Sequence, residues 1–204
     1  IVGGGGREHA LAWRLKQSSR VTEIVVAPGN TGISTLARCA DVAADDVPAL
    51  VALARLERPH LVIVGPEAPL VAGLADKLRQ ADIPVFGPSA RAAMLEGSKG
   101  FSKDFMARYG IPTARYRRFT AEQTAEAKAY LETFDGPPYV LKADGLAAGK
   151  GVVIAESAAE AHAEIDAMLG GKFRAASASI VIEEVMRGEE ASFLALGAGE
   201  TAVA

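Results

Sequence analysis

Short apolar blocks alternate with amphipathic segments over residues 1–89, and this pattern predicts strands and helices in turn. Apolar, β-branched runs indicate buried strands, whereas apolar residues at helical spacing indicate helices. The expected strands cover 1–2, 23–27, 61–64 and 84–86, and the expected helices cover 7–16, 47–56 and 70–81. In the first helix, the expected inner face consists of Ala10, Leu11, Trp13 and Leu15. Strands that alternate with helices through short links favour a parallel, doubly wound α/β sheet.

The loops that follow the strands of this predicted sheet are rich in glycine and proline. They cover residues 3–8, 28–32 and 65–69. Ligands of open parallel sheets bind in the crevice at the carboxyl ends of the strands, so we expect these loops to form one substrate site. Gly3 to Gly6 lead directly into a helix, whose free N–H groups and dipole suit a phosphate monoester. The alternative is a purely structural turn.

The same glycine cluster is not typical of a dinucleotide-binding fold. That fingerprint requires Gly or Ala at its third position and an acidic residue at the end of the second strand. Here Glu8 occupies the third position, and the second strand runs into Ala27 and Pro28. The pattern therefore argues against a nicotinamide or flavin dinucleotide.

Beyond Ser89 the pattern changes to that of a small α+β unit. A helical stretch at 90–109 carries Lys99 and Lys103. The other expected elements are strands at 116–119 and 178–184, helices at 121–134 and 158–169, a hairpin around Lys142, and strands at 190–197 and 201–203. We expect an N-terminal α/β domain at 1–89, a linker at 90–116, a lid at 117–184 and the beginning of a further domain at 185–204.

The hairpin at 139–154 carries the most distinctive pattern, a loop of glycines and lysines between two β-branched apolar runs. The residues concerned are Lys142, Gly145, Gly149, Lys150 and Gly151. Glycines let backbone N–H groups approach an anion, and the lysines add positive charge. The spacing does not match a Walker A loop, in which a hydroxyl residue follows the lysine. The pattern predicts a different phosphate-binding hairpin, with an ordinary structural hairpin as the alternative.

Composition and charge exclude several classes of protein. Half of the 204 residues are hydrophobic, which is enough for a substantial core. Lys and Arg total 22 against 25 Asp and Glu, which gives a net charge of −3. This net charge does not favour nucleic acid or an anionic membrane as a partner. No apolar run approaches the roughly 18 residues of a membrane span. The single Cys39 and the absence of a basic leader favour a cytoplasmic location.

Six segments carry a more specific signal. They are GGREHALAW at 5–13, APGN at 27–30, VGPEAPL at 64–70, LEGSK at 95–99, LKADGLAAGKGV at 141–152 and EExxxGEEAS at 183–192. In this order they closely resemble the phosphoribosylamine–glycine ligases, or glycinamide ribonucleotide synthetases, of the ATP-grasp superfamily. The resemblance covers essentially the whole chain. It implies an ATP-grasp lid after the parallel sheet, followed by the start of an antiparallel ATP-grasp sheet that is incomplete at the C-terminus.

The resemblance also implies a reaction. ATP phosphorylates the carboxylate of glycine, and the amine of 5-phosphoribosylamine attacks the resulting glycyl phosphate. The products are glycinamide ribonucleotide, ADP and phosphate, in de novo purine biosynthesis. Because one anion attacks another, positioned lysines and Mg²⁺ or Mn²⁺ are expected to supply most of the catalysis.

Individual residues take roles by the same resemblance. Lys99 and Lys142 are expected to contact the ATP phosphates as the catalytic cations. The implied ATP-binding set is Lys99, Lys142, Gly145, Ala148, Gly149, Lys150, Gly151, Glu183, Glu184, Val185, Met186 and Glu190. Within it, the Glu184 carbonyl and the Met186 N–H would pair with adenine, and Glu190 would bind the ribose hydroxyls. The implied phosphoribosylamine-binding set is Gly5, Gly6, Arg7, Glu8, Asn30, Pro66 and Glu67.

Without the family, the acids at 183–190 would be interpreted as an exposed strand end and Lys99 as a solvated helix residue. The family's metal ligands and glycine site have no counterpart before Ala204, so we expect them beyond it and expect this piece alone to turn over poorly, if at all. A monomer or weak homodimer acting on small molecules is expected.

Two alternative functions stay open. One is an ATP-grasp carboxylase or formate-using ligase, and the other is a non-enzymatic nucleotide-binding fragment that docks a partner.

Overall fold

The first half of the chain forms a parallel sheet with helices between its strands. The computed structural model describes residues 1–146, 150–173, 179–199 and 201–203. The elements of this half are β1 (Val2–Gly3), α1 (Gly6–Lys16), β2 (Val25–Pro28), β3 (Arg38–Cys39), α2 (Val47–Glu57), β4 (Val62–Ile63), α3 (Glu67–Val71), α4 (Leu74–Gln80) and β5 (Val85–Phe86). All strand pairings here are parallel, and a bridge between Val2 and Val64 joins β1 to β4. The strand order is therefore β3-β2-β1-β4-β5.

The second half contains an antiparallel sheet. Its elements are α5 (Ala90–Gly97), α6 (Lys99–Tyr109), β6 (Tyr116–Thr120), α7 (Thr124–Tyr130), β7 (Tyr139–Ala143), β8 (Val152–Ala155), α8 (Ala158–Leu169), β9 (Ser179–Glu183), β10 (Leu196–Ala198) and β11 (Thr201–Val203). Four strands pair in the order β6-β9-β7-β8, so β9 and β7 are central. The β10 and β11 strands form a separate antiparallel pair.

Each half has its own hydrophobic core. The first core lies between α2, α4 and the parallel sheet and includes Leu74 and Leu78. The second core lies between the antiparallel sheet, α7 and α8. Helix α8 shows how the sequence produces this packing, because its buried residues Ala161, Ile165, Met168 and Leu169 share one helical face. Ser157 caps the start of the helix, and its hydroxyl accepts a 3.2 Å hydrogen bond from the Glu160 N–H.

The predicted fold class is confirmed, and two predicted helices are interrupted. The helix expected at 70–81 divides at Gly73, whose φ of 86° lies in the left-handed region that glycine favours. The stretch expected at 90–109 divides at Ser98, where the backbone is extended. The Ser98 hydroxyl accepts a 3.1 Å hydrogen bond from the Phe101 N–H and so begins α6. This break fixes the direction in which α6 starts, at Lys99.

Other sequence expectations for these elements were wrong. The buried residues of α1 are Glu8 and Ala12, while Trp13 is 56% exposed. Ala10 and Leu11 are also exposed, and Leu15 is half-buried. The pattern missed β3, which is only two residues long. No strand covers residues 190–195 in the described part of the chain, where β10 begins only at Leu196.

Candidate functional site

The predicted loops of the parallel sheet do meet, at the point where β1 and β4 lie side by side. Gly3 has a φ of 121°, and a side chain there would approach Glu8 Cγ to 2.7 Å and Pro66 Cδ to 2.9 Å. The Asn30 side chain donates a 2.8 Å hydrogen bond to the Gly4 carbonyl, which ties the 28–32 loop to the glycines. The strand order reverses at the β1–β4 junction, and open parallel sheets generally bind their ligands in the crevice at such a point.

Glu8 is the buried charged residue of this crevice. Its side chain is 4% exposed, and Oε2 accepts a 2.6 Å hydrogen bond from the Gly5 N–H. Its Oε1 is buried and has no hydrogen-bond partner among the described residues. A side chain at Gly65 would overlap that oxygen, so Glu8 would have to move to admit one. Because a buried acceptor without a donor is costly, Oε1 is suited to receive an N–H or O–H group from a ligand.

At the mouth of the crevice, Arg7 and Glu67 face each other. The Arg7 Nη2 lies 3.7 Å from Glu67 Oε2, and the two side chains are 76% and 40% exposed. Such a pair contributes little to stability, about 0–1 kcal/mol, and can exchange partners. Gly6 and Arg7 begin α1, so their N–H groups face the same mouth.

Glu67 also borders a second cavity, of about 510 Å³, that contains the predicted ATP-binding lysines. Its lining residues come from both halves of the chain. Those with charged side chains are Glu67, Glu96, Lys99, Lys103, Lys142 and Glu183, and the others include Leu146, Gly151 and Met186. The structure therefore brings the glycine-rich crevice and the lysine cavity together at Glu67. Met186 is 72% exposed at the rim.

Lys142 lies in this cavity beside a buried acid. Its Nζ is 3.0 Å from Glu183 Oε1, an ion pair that lacks hydrogen-bond geometry. On the other side, Lys103 Nζ is 2.9 Å from Glu183 Oε2. The Lys142 side chain is 28% exposed, whereas those of Glu183 and Lys103 are 5% and 10% exposed. Two ammonium groups thus share one carboxylate, so Lys103, Glu183 and Lys142 together carry one net positive charge.

Lys99 reaches the root of the glycine loop. Its Nζ donates a 3.2 Å hydrogen bond to the Gly145 carbonyl, and its backbone N–H donates a 3.0 Å bond to the Asp144 carbonyl. At the other end of the loop, the Gly151 carbonyl accepts a 2.7 Å bond from the Ala143 N–H. Lys150 is exposed, and the predicted residues Ala148 and Gly149 lie outside the described residues.

Asp144 connects α6 to this hairpin. Its side chain is 7% exposed and lies 2.8 Å from Arg118 Nη2. Oδ1 accepts hydrogen bonds from the Ser98 hydroxyl at 2.7 Å and the Gly100 N–H at 2.8 Å, and Oδ2 accepts one from the Ser179 hydroxyl at 2.7 Å. Burial alone would raise the pKa of this carboxyl, but the Gly100, Ser179 and Ser98 donors and the Arg118 charge outweigh burial and lower the pKa.

The predicted adenine-binding strip follows β9 directly. The Glu184 side chain accepts a 2.7 Å hydrogen bond from the Arg115 N–H, and its own N–H donates to the Arg115 carbonyl at 3.0 Å. The Glu184 carbonyl and the Met186 N–H have no partner within the described ranges. Val185 is half-buried, and Glu190 is exposed in a stretch without regular structure. The backbone groups predicted to pair with adenine are therefore available.

Sequence reasoning missed the residues that hold the lysines in place. Asp144 received no role, although it stands between Lys142 and the glycine loop. Lys103 received none either, although it lies four residues after Lys99 and so on the same side of α6. Helical spacing could have suggested Lys103. Nothing local to Asp144 indicates that it binds Ser98 and Ser179.

Beyond the crevice and the lysine cavity, the described residues form a further cavity, and they form neither a cluster of metal-ligating side chains nor a membrane-spanning helix. Within the described residues, no group of three or more His, Cys, Asp or Glu is arranged to bind a metal ion, so these residues do not fit a divalent cation. A cavity of about 690 Å³ at the opposite end of the parallel sheet contains no predicted site residue. None of the helices in the described ranges is long and apolar enough to cross a membrane.

Comparison with known proteins identifies relatives over the whole chain. The family model of the phosphoribosylglycinamide synthetase N domain matches residues 1–96, and that of the ATP-grasp (A) domain matches residues 97–204. The phosphoribosylamine–glycine ligase of Rhizobium meliloti is 55% identical over 201 residues, which are 98% of this chain and 47% of that protein. The enzyme of the same name from Caulobacter vibrioides is 55% identical over 203 residues, which are 100% of this chain and 47% of that protein. The chain spans about half the length of the curated relatives it matches.

Solved structures agree with this result. The crystal structure of a phosphoribosylamine–glycine ligase from Thermotoga maritima has a TM-score of 0.80 at 32% identity and covers 100% of this chain and 47% of its own. The ADP complex of an N5-carboxyaminoimidazole ribonucleotide synthetase has a TM-score of 0.66 at 26% identity. The match covers 91% of this chain and 46% of that one. Both comparisons support the ATP-grasp fold class.

Proposed function

Because the chain belongs to the phosphoribosylglycinamide synthetase family, we propose that it forms the ATP- and phosphoribosylamine-binding part of a carbon–nitrogen ligase. The ligase joins glycine to 5-phosphoribosylamine through a glycyl phosphate and releases ADP and phosphate. The observation that supports this best is the position of Glu67, which borders both the glycine-rich crevice and the cavity of Lys99 and Lys142. The reaction transfers a phosphoryl group to one substrate and then joins that activated substrate to a second one. Such a sequence requires adjacent binding sites.

The lysine cavity takes the triphosphate in this proposal. ATP, when bound, supplies the phosphoryl group that activates the carboxylate of glycine. Lys99 and Lys142 neutralise the negative charge that builds up as the two anions approach. The 145–151 loop covers the phosphates with its backbone N–H groups, including Gly145, Gly149, Lys150 and Gly151. The Glu184 carbonyl and Met186 N–H bind adenine, and Glu190 binds the ribose.

The crevice takes 5-phosphoribosylamine. Oε2 of Glu8 already uses the Gly5 N–H, so the phosphate group is received by the N–H groups of Gly6 and Arg7 and by the Arg7 guanidinium. The unpartnered Oε1 of Glu8 accepts from the amine or a ring hydroxyl. Glu67 lies toward the lysine cavity, where the amine must meet the activated glycine. Asn30 ties the 28–32 loop to the glycines through one hydrogen bond at each of its polar atoms, and the second N–H and second lone pair of its amide bind the sugar hydroxyls or the amine.

We also propose the division of the chain at residues 89, 116 and 184, a monomer or weak homodimer, and a cytoplasmic location. Mg²⁺ or Mn²⁺ is part of the proposed reaction, but the described residues supply no ligand set for it.

The function is tested by the release of ADP from the complete polypeptide that contains this chain. ATP, Mg²⁺ and 5-phosphoribosylamine are supplied with glycine, with formate, with bicarbonate or with no carboxylate. Release that depends on glycine is expected, together with the formation of glycinamide ribonucleotide. Release that depends on formate or bicarbonate would keep the ATP-grasp chemistry and overturn the substrate assignment.

A further inference from the structure

Lys103 lies in the lysine cavity but is not free to bind a ligand. Its Nζ donates a 2.8 Å hydrogen bond to the Thr113 hydroxyl and a 3.4 Å bond to the Ala114 carbonyl, and it lies 2.9 Å from Glu183 Oε2. Two of its three protons thus have fixed acceptors, and Glu183 is its ion-pair partner. The Tyr116 ring lies against the same group, with its centroid 5.5 Å away. Lys103 is therefore a built-in cation rather than a mobile one.

Glu183 is the group that requires this cation. It ends the central strand β9, and its side chain is 5% exposed. Removing a carboxylate from water is costly unless a cation compensates it. Glu183 has two such cations, Lys103 and Lys142, although one would neutralise its charge.

The two lysines are held in different ways. Lys103 makes directed hydrogen bonds to Thr113 and Ala114, whereas Lys142 meets Glu183 only in an ion pair without hydrogen-bond geometry. Lys142 is also the more exposed of the two, at 28% against 10%. Lys142 is therefore the lysine that is more easily displaced from Glu183, provided that Lys103 stays.

We infer that Lys103 is a positioning residue that neutralises Glu183 and thereby releases Lys142 for the phosphates of a nucleotide. The inference rests on the proposed function, since it assumes that a triphosphate enters this cavity. If Lys103 were absent, the buried carboxylate of Glu183 would retain Lys142 as its last cation. Binding of phosphate would then have to break a buried ion pair.

The test compares two ligands by calorimetry on the complete polypeptide. The affinity for ATP depends on contacts to the base, the ribose and the phosphates. The affinity for adenosine depends only on contacts to the base and the ribose. In Lys103→Met, the dissociation constant for ATP is expected to rise at least about tenfold, while that for adenosine changes less than about threefold. In the double variant Lys103→Met/Glu183→Gln, the affinity for ATP is expected to return to within about threefold of the unsubstituted protein, because Lys142 is released again.

Several results would overturn the inference. They are an unchanged ATP affinity in Lys103→Met, an equal loss for ATP and adenosine, and a double variant no better than the single one. Lack of ATP binding by the unsubstituted protein would instead overturn the proposed function. The matched control is Lys128→Met, which removes an outer ion pair of 2.7 Å with Asp166 and should alter neither affinity.

A second variant covers the case in which Lys103→Met does not fold, as shown by its thermal unfolding. Glu183→Gln alone keeps both lysines and removes the charge that retains Lys142. Because the Glu183 side chain is 5% exposed and faces the two lysines, its part in ATP binding runs through Lys142, and the variant is expected to bind ATP at least as tightly as the unsubstituted protein. Weaker ATP binding with unchanged adenosine binding would contradict the inference.

Discussion

The backbone N–H of Gly100 donates a 2.8 Å hydrogen bond to Oδ1 of Asp144, 44 residues later in the chain. Through this bond a carboxylate at the end of β7 satisfies the N-terminus of α6. A side chain at Gly100 would approach Asp144 Oδ2 to 3.0 Å and Arg118 Cδ to 2.7 Å, so the Arg118 and Asp144 side chains would have to shift to admit one. Lys99 and the root of the glycine loop are thereby held as one unit.

Asp144→Ala is expected to lower the free energy of unfolding by about 2–4 kcal/mol, because it leaves buried donors and the Arg118 guanidinium without their acceptor. Urea denaturation of the complete polypeptide measures the change. The control is Asp166→Ala, which removes an exposed partner of Lys128 and should cost less than about 1 kcal/mol. Equal losses in the two variants would show that the Asp144 contacts contribute no more than a surface ion pair.

The pH dependence of stability should also change in Asp144→Asn. The fold lowers the pKa of Asp144 from its ordinary value of 3.8, so this carboxylate contributes stability above that value. The contribution is lost as the pH falls through the lowered pKa of the folded state, because the unfolded state then binds the proton more readily. Unfolding free energies measured between neutral and acid pH should therefore fall less steeply in Asp144→Asn. A slope equal to that of the unsubstituted protein would contradict the role of this charge.

Lys142→Ala is expected to lower kcat/KM for ATP at least about tenfold, which corresponds to roughly 1.4 kcal/mol of transition-state stabilisation. The reason is the loss of a cation from the cavity wall, since Lys103 is already occupied. Steady-state kinetics of the complete polypeptide, with Lys128→Ala as the control, measure the effect. Unchanged kinetics would remove Lys142 from the catalytic group.

Glu67→Gln is expected to weaken the binding of phosphoribosylamine more than the binding of ATP. Glu67 pairs with Arg7 at the mouth of the crevice and only borders the lysine cavity, so its charge acts mainly on the substrate amine or sugar. The separate KM values for the two substrates measure this difference. An equal increase in both would assign Glu67 a structural role.

Gly65→Ala is expected to destabilise the protein by about 1–3 kcal/mol, because the added methyl group would overlap Oε1 of Glu8 and displace a buried carboxylate. Thermal unfolding measures the loss. Gly6→Ala is the matched control, since nothing lies within 4 Å of a side chain added there. A melting temperature unchanged in both variants would show that the crevice can widen freely around Glu8.

Much of the architecture follows from local pattern. The glycine and proline loops after the strands correctly predicted a meeting of residues 3–8, 28–32 and 65–69, because strands of a parallel sheet end at one edge. The face of α1 was predicted wrongly, because hydrophobicity alone ranked Trp13 above Glu8 for burial. Glu8 is buried since its carboxylate binds the Gly5 N–H and fits against glycines, and helical periodicity carries no information on that fit.

The sequence by itself determined most of the alternation of strands and helices and the glycine–lysine pattern around Lys142, since these depend on periodicity and residue type within a few positions. The role of Lys99 followed only from the resemblance to the family. Only the tertiary structure decided how the lysines are held. Lys99 donates to the Gly145 carbonyl across 46 residues, and Glu183 meets Lys142 because β9 pairs with β7 in the centre of the sheet. Such partners depend on strand order and on exclusion of water, which arise only when the whole chain is packed.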